Sequence, residues 1–179
     1  MADRLIPAAY REGRILDIGC GTYPLFLLCT AFFEKYGIDK VVQENYGEQS
    51  HNQEIIVINY DIETENTLPF SSEFFDVVSM LAVFEHIEPI RVKEILREIY
   101  RVLKLNGMFI MTTPTIWADG LLRFMAKLRL VSPIEIAEHK DAYSHRKISS
   151  LLQEAGFQQE GLQLGYFEMF MNIWVAATK

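Results

Sequence analysis

The chain has 179 residues, a length typical of one domain, and half of them are hydrophobic. This is an ordinary globular composition, so the chain needs neither a metal nor a disulfide framework to fold. The formal net charge of −7 at pH 7 argues against a nucleic-acid backbone as the main partner.

The cysteines and the apolar runs indicate the cellular compartment of the protein. Cys20 and Cys29 fit free thiols in a reducing compartment better than a disulfide scaffold. The first four residues lack the apolar stretch of a signal peptide. The longest apolar run, 25–33, has nine residues, whereas a membrane span needs about 20. We therefore expect a cytoplasmic protein.

The apolar pattern of the first half predicts buried strands separated by turns and one helix. In chain order these are a strand at 15–18, a helix from Pro24 to about Phe33, a strand ending at 36–39, and strands at 54–60 and 74–80.

The second half continues the alternation. Helical spacing predicts a helix over 90–103, and Asn106-Gly107 is expected to end it because this pair readily adopts positive φ. A strand over 108–113 follows, and then a helix from Ser144, a plausible N-cap, to Ala155.

Two apolar segments close the chain, at 159–166 and 170–178, and their short link favours an antiparallel pair. The pattern as a whole predicts a single α/β domain over 1–179. Its fold is doubly wound and Rossmann-like, with a seven-stranded, mostly parallel sheet, a C-terminal antiparallel hairpin, and helices on both faces.

The strongest chemical signal is the stretch 15–22, Ile-Leu-Asp-Ile-Gly-Cys-Gly-Thr. Two glycines let the backbone turn sharply and approach a ligand closely, and such a turn lies at the carboxyl end of the strands, where ligands bind. Glycines alone are also found in ordinary turns, but a buried acid such as Asp17 needs a purpose, for example binding an ammonium group. Pro24 stands where a dinucleotide fingerprint needs its third glycine, which argues against a nicotinamide-dependent oxidoreductase.

The segment 17–22 resembles the first motif of class I S-adenosylmethionine (SAM) dependent methyltransferases. The likeness continues in order and spacing from about 14 to 113. The matching segments are Tyr36-Gly37-Ile38-Asp39, Asp61-Ile62 followed by Leu68-Pro69-Phe70, Phe75 to Met80, Phe84-Glu85-His86-Ile87, and Leu103 to Gly107.

This resemblance implies SAM as the cofactor and assigns it a set of residues. The first motif contributes Asp17, Gly19, Cys20 and Gly21. Further along the chain, Asp39 would bind the ribose hydroxyls, Asp61 and the Ile62 amide the adenine, and the Leu81 backbone the methionine part.

Each downstream assignment has an alternative. Asp39 lies 22 residues after Asp17, close to the spacing of a ribose-binding acid, but a solvated loop acid is also open, with Glu44 in reserve. Asp61 fits a turn cap as well, and Leu81 fits core packing. Tyr23 stands where the family often has a third glycine, so either the turn bends differently or the Tyr ring lines the pocket.

Methyl transfer to a hydroxyl needs a general base, for which a histidine is suited near neutral pH. The candidates are His86, which follows the fourth strand, and His139 with Tyr143, which precede the last helix. A structural hydrogen-bonding role is the alternative for His86, and a polar loop is the alternative for His139 and Tyr143. No base is needed if the acceptor is already nucleophilic.

An inserted segment, 114–140, separates the fifth strand from the last helix. Within it, apolar side chains recur at helical spacing among three basic ones. They are Trp117, Leu121, Phe124, Met125 and Leu128. We interpret this segment as a lid over the acceptor pocket. A dimer contact, or a basic amphipathic helix over 116–131 that touches a membrane or a lipid-like acceptor, are alternatives.

The sequence thus predicts a methyltransferase that acts on a small-molecule or lipid-like acceptor. The alternative is a catalytically silent SAM-binding protein of the same fold. That alternative is motivated by Tyr23 and by the short stretch of about 13 residues before the first strand.

Overall fold

The computed structural model describes residues 1–41, 55–116, 118 and 143–179. Its strands are β1 (Arg14–Ile18), β2 (Glu34–Asp39), β3 (Ile55–Asn59), β4 (Phe75–Leu81), β5 (Leu103–Pro114), β6 (Leu162–Phe167) and β7 (Asn172–Thr178). They form one seven-stranded sheet in the order β3-β2-β1-β4-β5-β7-β6. Neighbouring strands are parallel except where β7 pairs antiparallel with β5 and β6. The predicted α/β sheet with its C-terminal hairpin is confirmed.

Helices cover both faces of this sheet, as predicted. Those with bounds in the described part of the chain are α1 (Leu25–Cys29), α2 (Pro89–Val102) and α3 (His145–Ala155). The apolar sides of α2 and α3 pack on one face, where Leu16 and Ile99 are fully buried. The α1 helix and the N-terminal turn Ala2–Leu5 pack on the other face, where Ile15 and Leu27 are fully buried. Alternate residues of a strand thus supply two separate cores.

The first helix is shorter than the prediction from Pro24 to about Phe33, because contacts with the N-terminal segment end it. Thr30 is extended, with φ −105° and ψ 151°. Its buried hydroxyl donates to Asp3 at 2.6 Å and accepts from Arg11 at 2.6 Å. These long-range bonds fix the chain in an extended form and bring it directly into β2.

The boundary between α2 and β5 also differs from the prediction. The helix ends at Val102, and Leu103 is already extended and paired with Phe75 of β4. Asn106 does adopt positive φ, at +62°, but it lies inside β5, several residues beyond the helix. The expectation that Asn106-Gly107 ends the helix is therefore wrong: pairing with β4 ends it first.

The last helix agrees with its predicted caps. The Ser144 hydroxyl accepts from the Lys147 amide at 3.3 Å, and Gly156 follows the helix with φ +121°. Glu44, His139 and nearly all of the inserted segment 114–140 lie outside the described residues, so the hypotheses about them stay predictions.

The β6–β7 turn lies at the carboxyl edge of the sheet, because β6 runs parallel to β1. The first of the two closing segments is a turn, Gln159–Gly161, before β6 begins. Between the strands, Glu168, Met169 and Phe170 all adopt positive φ, between 50° and 67°. The described helices are too short or too polar to cross a bilayer.

The hairpin offers a test of packing. A Cβ at Gly165 would lie 2.5 Å from the ring atoms of Trp174 on β7. Gly165→Ala should therefore lower the free energy of unfolding by about 1–3 kcal/mol, measured by urea denaturation. In a Trp174→Ala background the same substitution should cost much less. Equal costs in both backgrounds would contradict this account of the contact.

Candidate functional site

A tight glycine turn, residues 19–21, follows β1 at the carboxyl edge of the sheet. Gly19 and Gly21 adopt φ +74° and +73°, a region that disfavours side chains. A Cβ on Gly19 would also lie 2.3 Å from the Val83 side chain. Conformation and space therefore both require glycine at position 19, where Val83 fills the place of a side chain, whereas a Cβ at Gly21 would meet no atom closer than 4.0 Å.

Two sets of hydrogen bonds join this turn to the end of β2. The Ile38 carbonyl accepts from the Gly19 amide at 2.8 Å and from the Cys20 amide at 3.3 Å. The Asp39 carboxylate accepts from the Gly21 amide at 2.8 Å and from the Val41 amide at 2.9 Å. Each carboxylate oxygen has further lone pairs, so Asp39 can still accept from the hydroxyls of a ligand.

Asp17 is buried beside the turn, with 4% of its surface exposed. It pairs in register with Ser79 of β4, whose hydroxyl lies 2.7 Å from one carboxyl oxygen. Burial raises the pKa of Asp17 to about 7, the Ser79 hydrogen bond opposes the rise, and the charge of Asp39 adds to it. Near neutral pH, this carboxyl is poised between its protonated and its ionised form.

A cavity of about 440 Å³ opens beside the glycine turn. Five of the predicted site residues line it, namely Gly19, Asp39, Asp61, Ile62 and His86. Asp17, Cys20, Gly21 and Leu81 are outside this lining, although the first three adjoin it through the turn. The structure therefore places Asp39 in the cavity lining and Asp17 behind it, at the same edge of the sheet, and their binding roles stay predictions.

Asp61 both caps a turn and faces the cavity. Its carboxylate accepts from the Glu63 amide at 2.9 Å, which is the capping role that the sequence left open. Ile62 beside it also lines the cavity, and part of its side chain packs against the larger core. Capping holds the Asp61 carboxylate in place and does not exclude a bond to a ligand.

Cys20, Leu81 and Tyr23 have different surroundings. Burial, together with the charges of Asp17 and Asp39, raises the pKa of the Cys20 thiol to about 12, so it stays neutral. Leu81 packs with the smaller core, in agreement with its packing alternative. Tyr23 has no positive φ, and 63% of its surface is exposed. The turn accommodates it without left-handed backbone, and its ring does not line the cavity.

The candidate bases differ in access to the cavity. His86 lines it, at the end of the short turn Phe84–His86, where its amide donates to Val83. The preceding Glu85 is buried and accepts from the Thr113 hydroxyl at 3.1 Å. Tyr143 is 1% exposed, and its ring centroid lies 4.6 Å from that of Phe84 in the core. Their catalytic roles stay predictions.

The sequence analysis missed several residues that line the cavity. They are Ile18, Ile38, Lys40, Tyr60, Glu63, Val83 and Ile87. Ile18, Ile38 and Ile87 lie inside the matched segments but were assigned no role, and Lys40, Tyr60 and Glu63 adjoin positions that were assigned one. Val83 is different, because its contact with Gly19 depends on how two distant loops meet.

The chain is similar to known proteins along most of its length. Residues 2–160 match a family model described as a methyltransferase domain. An uncharacterised methyltransferase of Bacillus subtilis, YcgJ, is 30% identical over 132 residues, which are 71% of this chain. The chain spans about half the length of that relative, 51%.

Solved structures share the fold at low sequence identity. A SAM-dependent methyltransferase from Archaeoglobus fulgidus superposes with a TM-score of 0.70 at 20% identity, over 98% of this chain and 90% of that one. One from Mesorhizobium loti gives a TM-score of 0.72 at 15% identity, over 99% and 96%.

The buried Asp17 predicts a pH dependence of stability. The unfolded chain releases this proton near the ordinary pKa of 3.8, whereas the folded protein keeps it up to about 7. The Asp17 contribution to stability is therefore present at low pH and is lost as pH rises from about 4 to about 7. Urea unfolding at pH 5 and at pH 7.5 measures this loss.

Asp17→Asn should remove that loss. Glu98, whose pKa its hydrogen bond with Arg101 holds below the usual range, acts in the opposite direction in both proteins. The difference between wild type and variant therefore isolates Asp17. If both proteins lose the same stability between the two pH values, Asp17 does not carry the proton.

Proposed function

Because this chain belongs to the class I SAM-dependent methyltransferases, we propose that it transfers a methyl group from SAM to a small-molecule or lipid-like acceptor. The observation that carries the proposal is the cavity at the glycine turn. Gly19 and the Asp39 carboxylate both line this cavity, and Asp17 is buried beside it.

The residues present fit SAM. The cavity volume, about 440 Å³, is within the usual range for small-molecule sites. A Cβ at Gly21 would meet no atom closer than 4.0 Å, so a ligand can approach the backbone of the turn there. The lining also combines apolar side chains with three carboxylates, those of Asp39, Asp61 and Glu63, which suits a nucleoside with hydroxyl and amino groups.

We assign the cofactor roles as follows. Asp39 binds the ribose hydroxyls, because one carboxylate can accept from two vicinal donors. Asp61 accepts from the adenine amino group, and the Ile62 amide bonds a ring nitrogen. The backbone of Gly19, Cys20 and Gly21, with that of Leu81, holds the methionine part. Asp17 pairs with its ammonium group.

SAM supplies a methyl group on a cationic sulfonium, so the bond-making chemistry belongs to the cofactor. The chain has to hold the acceptor in line and keep water away. His86 lies in the cavity lining and is our candidate to take the proton of a hydroxyl acceptor. His139 and Tyr143 are weaker candidates.

The acceptor is proposed from the inserted segment 114–140. Its large apolar side chains suit a lid over an apolar or lipid-like molecule, and its stretch 116–131 also suits contact with a membrane surface. The net charge of −7 speaks against a nucleic-acid acceptor. A cytoplasmic location fits the two free thiols.

One of the two observations that suggested a catalytically silent SAM-binding protein no longer supports it. That alternative was based partly on Tyr23 in place of a glycine, but the turn takes its positive φ at Gly19 and Gly21 only. Tyr23 therefore demands no strained backbone. Methyl transfer is the better supported reading of the same site.

Cofactor binding tests the proposal directly. Titration calorimetry should detect binding of SAM and of its demethylated product, S-adenosylhomocysteine. Asp39→Asn should weaken binding about tenfold or more, because the amide accepts fewer hydrogen bonds than the carboxylate. Glu160→Gln, an acid-to-amide change at an exposed position, serves as the matched control. No binding at millimolar ligand would overturn the proposal.

Turnover separates an enzyme from a silent binder. Transfer of a labelled methyl group to any member of a broad acceptor panel would exclude the silent alternative. With a hydroxyl acceptor, His86→Gln should lower kcat by about 100-fold or more and leave the Kd for SAM nearly unchanged. His145→Gln, whose ring stacks on Tyr166 outside the cavity lining, is the control. Full activity of His86→Gln would remove His86 as the base.

A further inference from the structure

Asp17 and Ser79 form a buried pair between β1 and β4 that the fold alone does not require. Ser79 is fully buried, and Asp17 has 4% of its surface exposed. The Ser79 oxygen lies 2.7 Å from a carboxyl oxygen of Asp17 and 3.3 Å from the Leu16 carbonyl oxygen. Apolar residues would fill the same space without the cost of burying an acid.

The two distances allow two arrangements of protons. A hydroxyl has one hydrogen to donate and can accept at the same time. If Asp17 is protonated, its own O–H donates to Ser79, and the Ser79 hydroxyl donates to Leu16. If Asp17 is ionised, the Ser79 hydroxyl turns and donates to the carboxylate. Rotation of one hydroxyl thus satisfies both forms without movement of heavy atoms.

The charges around Asp17 favour the protonated form until a cation arrives. The ionisable neighbours of Asp17 are the Asp39 carboxylate at the end of β2, whose charge raises the pKa of Asp17, and the Cys20 thiol in the glycine turn, whose own pKa the charge of Asp17 raises. Neither neighbour carries a positive charge that would stabilise an ionised Asp17. Ser79, facing from β4, carries no charge. The raised pKa of Asp17, about 7, agrees with this arrangement.

We infer that Ser79 is a positioning residue, which holds a protonated Asp17 in the ligand-free protein and turns to the ionised carboxylate when the ammonium group of SAM binds. The inference rests on the proposed function, because it assigns the cation to the cofactor. The balance is simple: the Asp17 O–H bond breaks, its proton passes to the buffer, and the ligand's positive charge replaces it. Cofactor affinity therefore rises with pH across the neutral range.

Calorimetry in two buffers tests this on the wild-type protein. S-adenosylhomocysteine, which keeps the ammonium group, is titrated at pH 6 in phosphate and in Bis-Tris, and at pH 8.5 in Tris and in Tricine, since the two buffers of each pair differ in ionisation enthalpy. We expect release of about one proton per bound ligand at pH 6 and close to none at pH 8.5. Adenosine, which lacks the ammonium group, should bind without this release. Identical heats in the two buffers at pH 6 would overturn the inference.

Variants show which residue loses the proton. Asp17→Asn should abolish the proton release that accompanies ligand binding, because the amide has no acidic proton to lose. Release from Asp17→Asn that equals the wild-type value would overturn the inference. If no ligand binds to the wild-type protein, the proposed function fails; if the ligand binds without release, only this inference fails.

The role of Ser79 has its own readout. Ser79→Ala should move the pH at which affinity rises upward by about one unit, the equivalent of one lost hydrogen bond to a charged group. Ser79→Thr keeps the hydroxyl and should restore the wild-type profile. Urea unfolding of both variants checks that they fold. An unchanged pH profile in folded Ser79→Ala would show that Ser79 does not position the carboxyl.

Discussion

The carbonyl oxygen of Ile38 accepts from the amides of both Gly19 and Cys20, and the geometry of the site depends on this junction. It fastens the glycine turn of one strand to the end of its neighbour. The carboxylate of the next residue, Asp39, accepts a hydrogen bond from the Gly21 amide. Together these contacts hold the backbone in place before any ligand arrives, so a ligand meets a preformed surface and loses less affinity to the cost of ordering it.

Much of the fold follows from local pattern. Buried strands such as β1 and amphipathic helices such as α2 have strong periodicity, and a parallel sheet with helices on both faces is the natural arrangement for such an alternation. The two helix ends that the sequence predicted wrongly, those of α1 and α2, depend on contacts between residues that are distant in the chain. Thr30 ends α1 because it bonds to Asp3 and Arg11, and Leu103 ends α2 because it pairs with β4. No local signal carries that information.

In the site, too, some features follow from local sequence and others depend on contacts between distant residues. Asp17, Asp39 and Asp61 were predictable because each lies at or just after the end of a strand, and two of the three line the cavity. The sequence also left open that Asp61 caps a turn, and it does. Val83 was not predictable, because its contact with Gly19 arises only when the loop after β4 folds over the turn after β1. The degree of burial that sets the Asp17 pKa is likewise a tertiary property.

The reversed direction of β7 brings the β6–β7 turn to the same edge of the sheet as the cavity, yet on strands at the far end of the order. The Thr115 hydroxyl donates to its carbonyls, whereas the backbone amides of the glycine turn donate to Ile38 and Asp39 at the end of β2. Substitutions or length changes between Glu168 and Phe170 can therefore alter what this edge presents to a second molecule while the cofactor side stays intact. If the chain acts as proposed, its acceptor specificity can change through this turn without any change in the residues that bind the methyl donor.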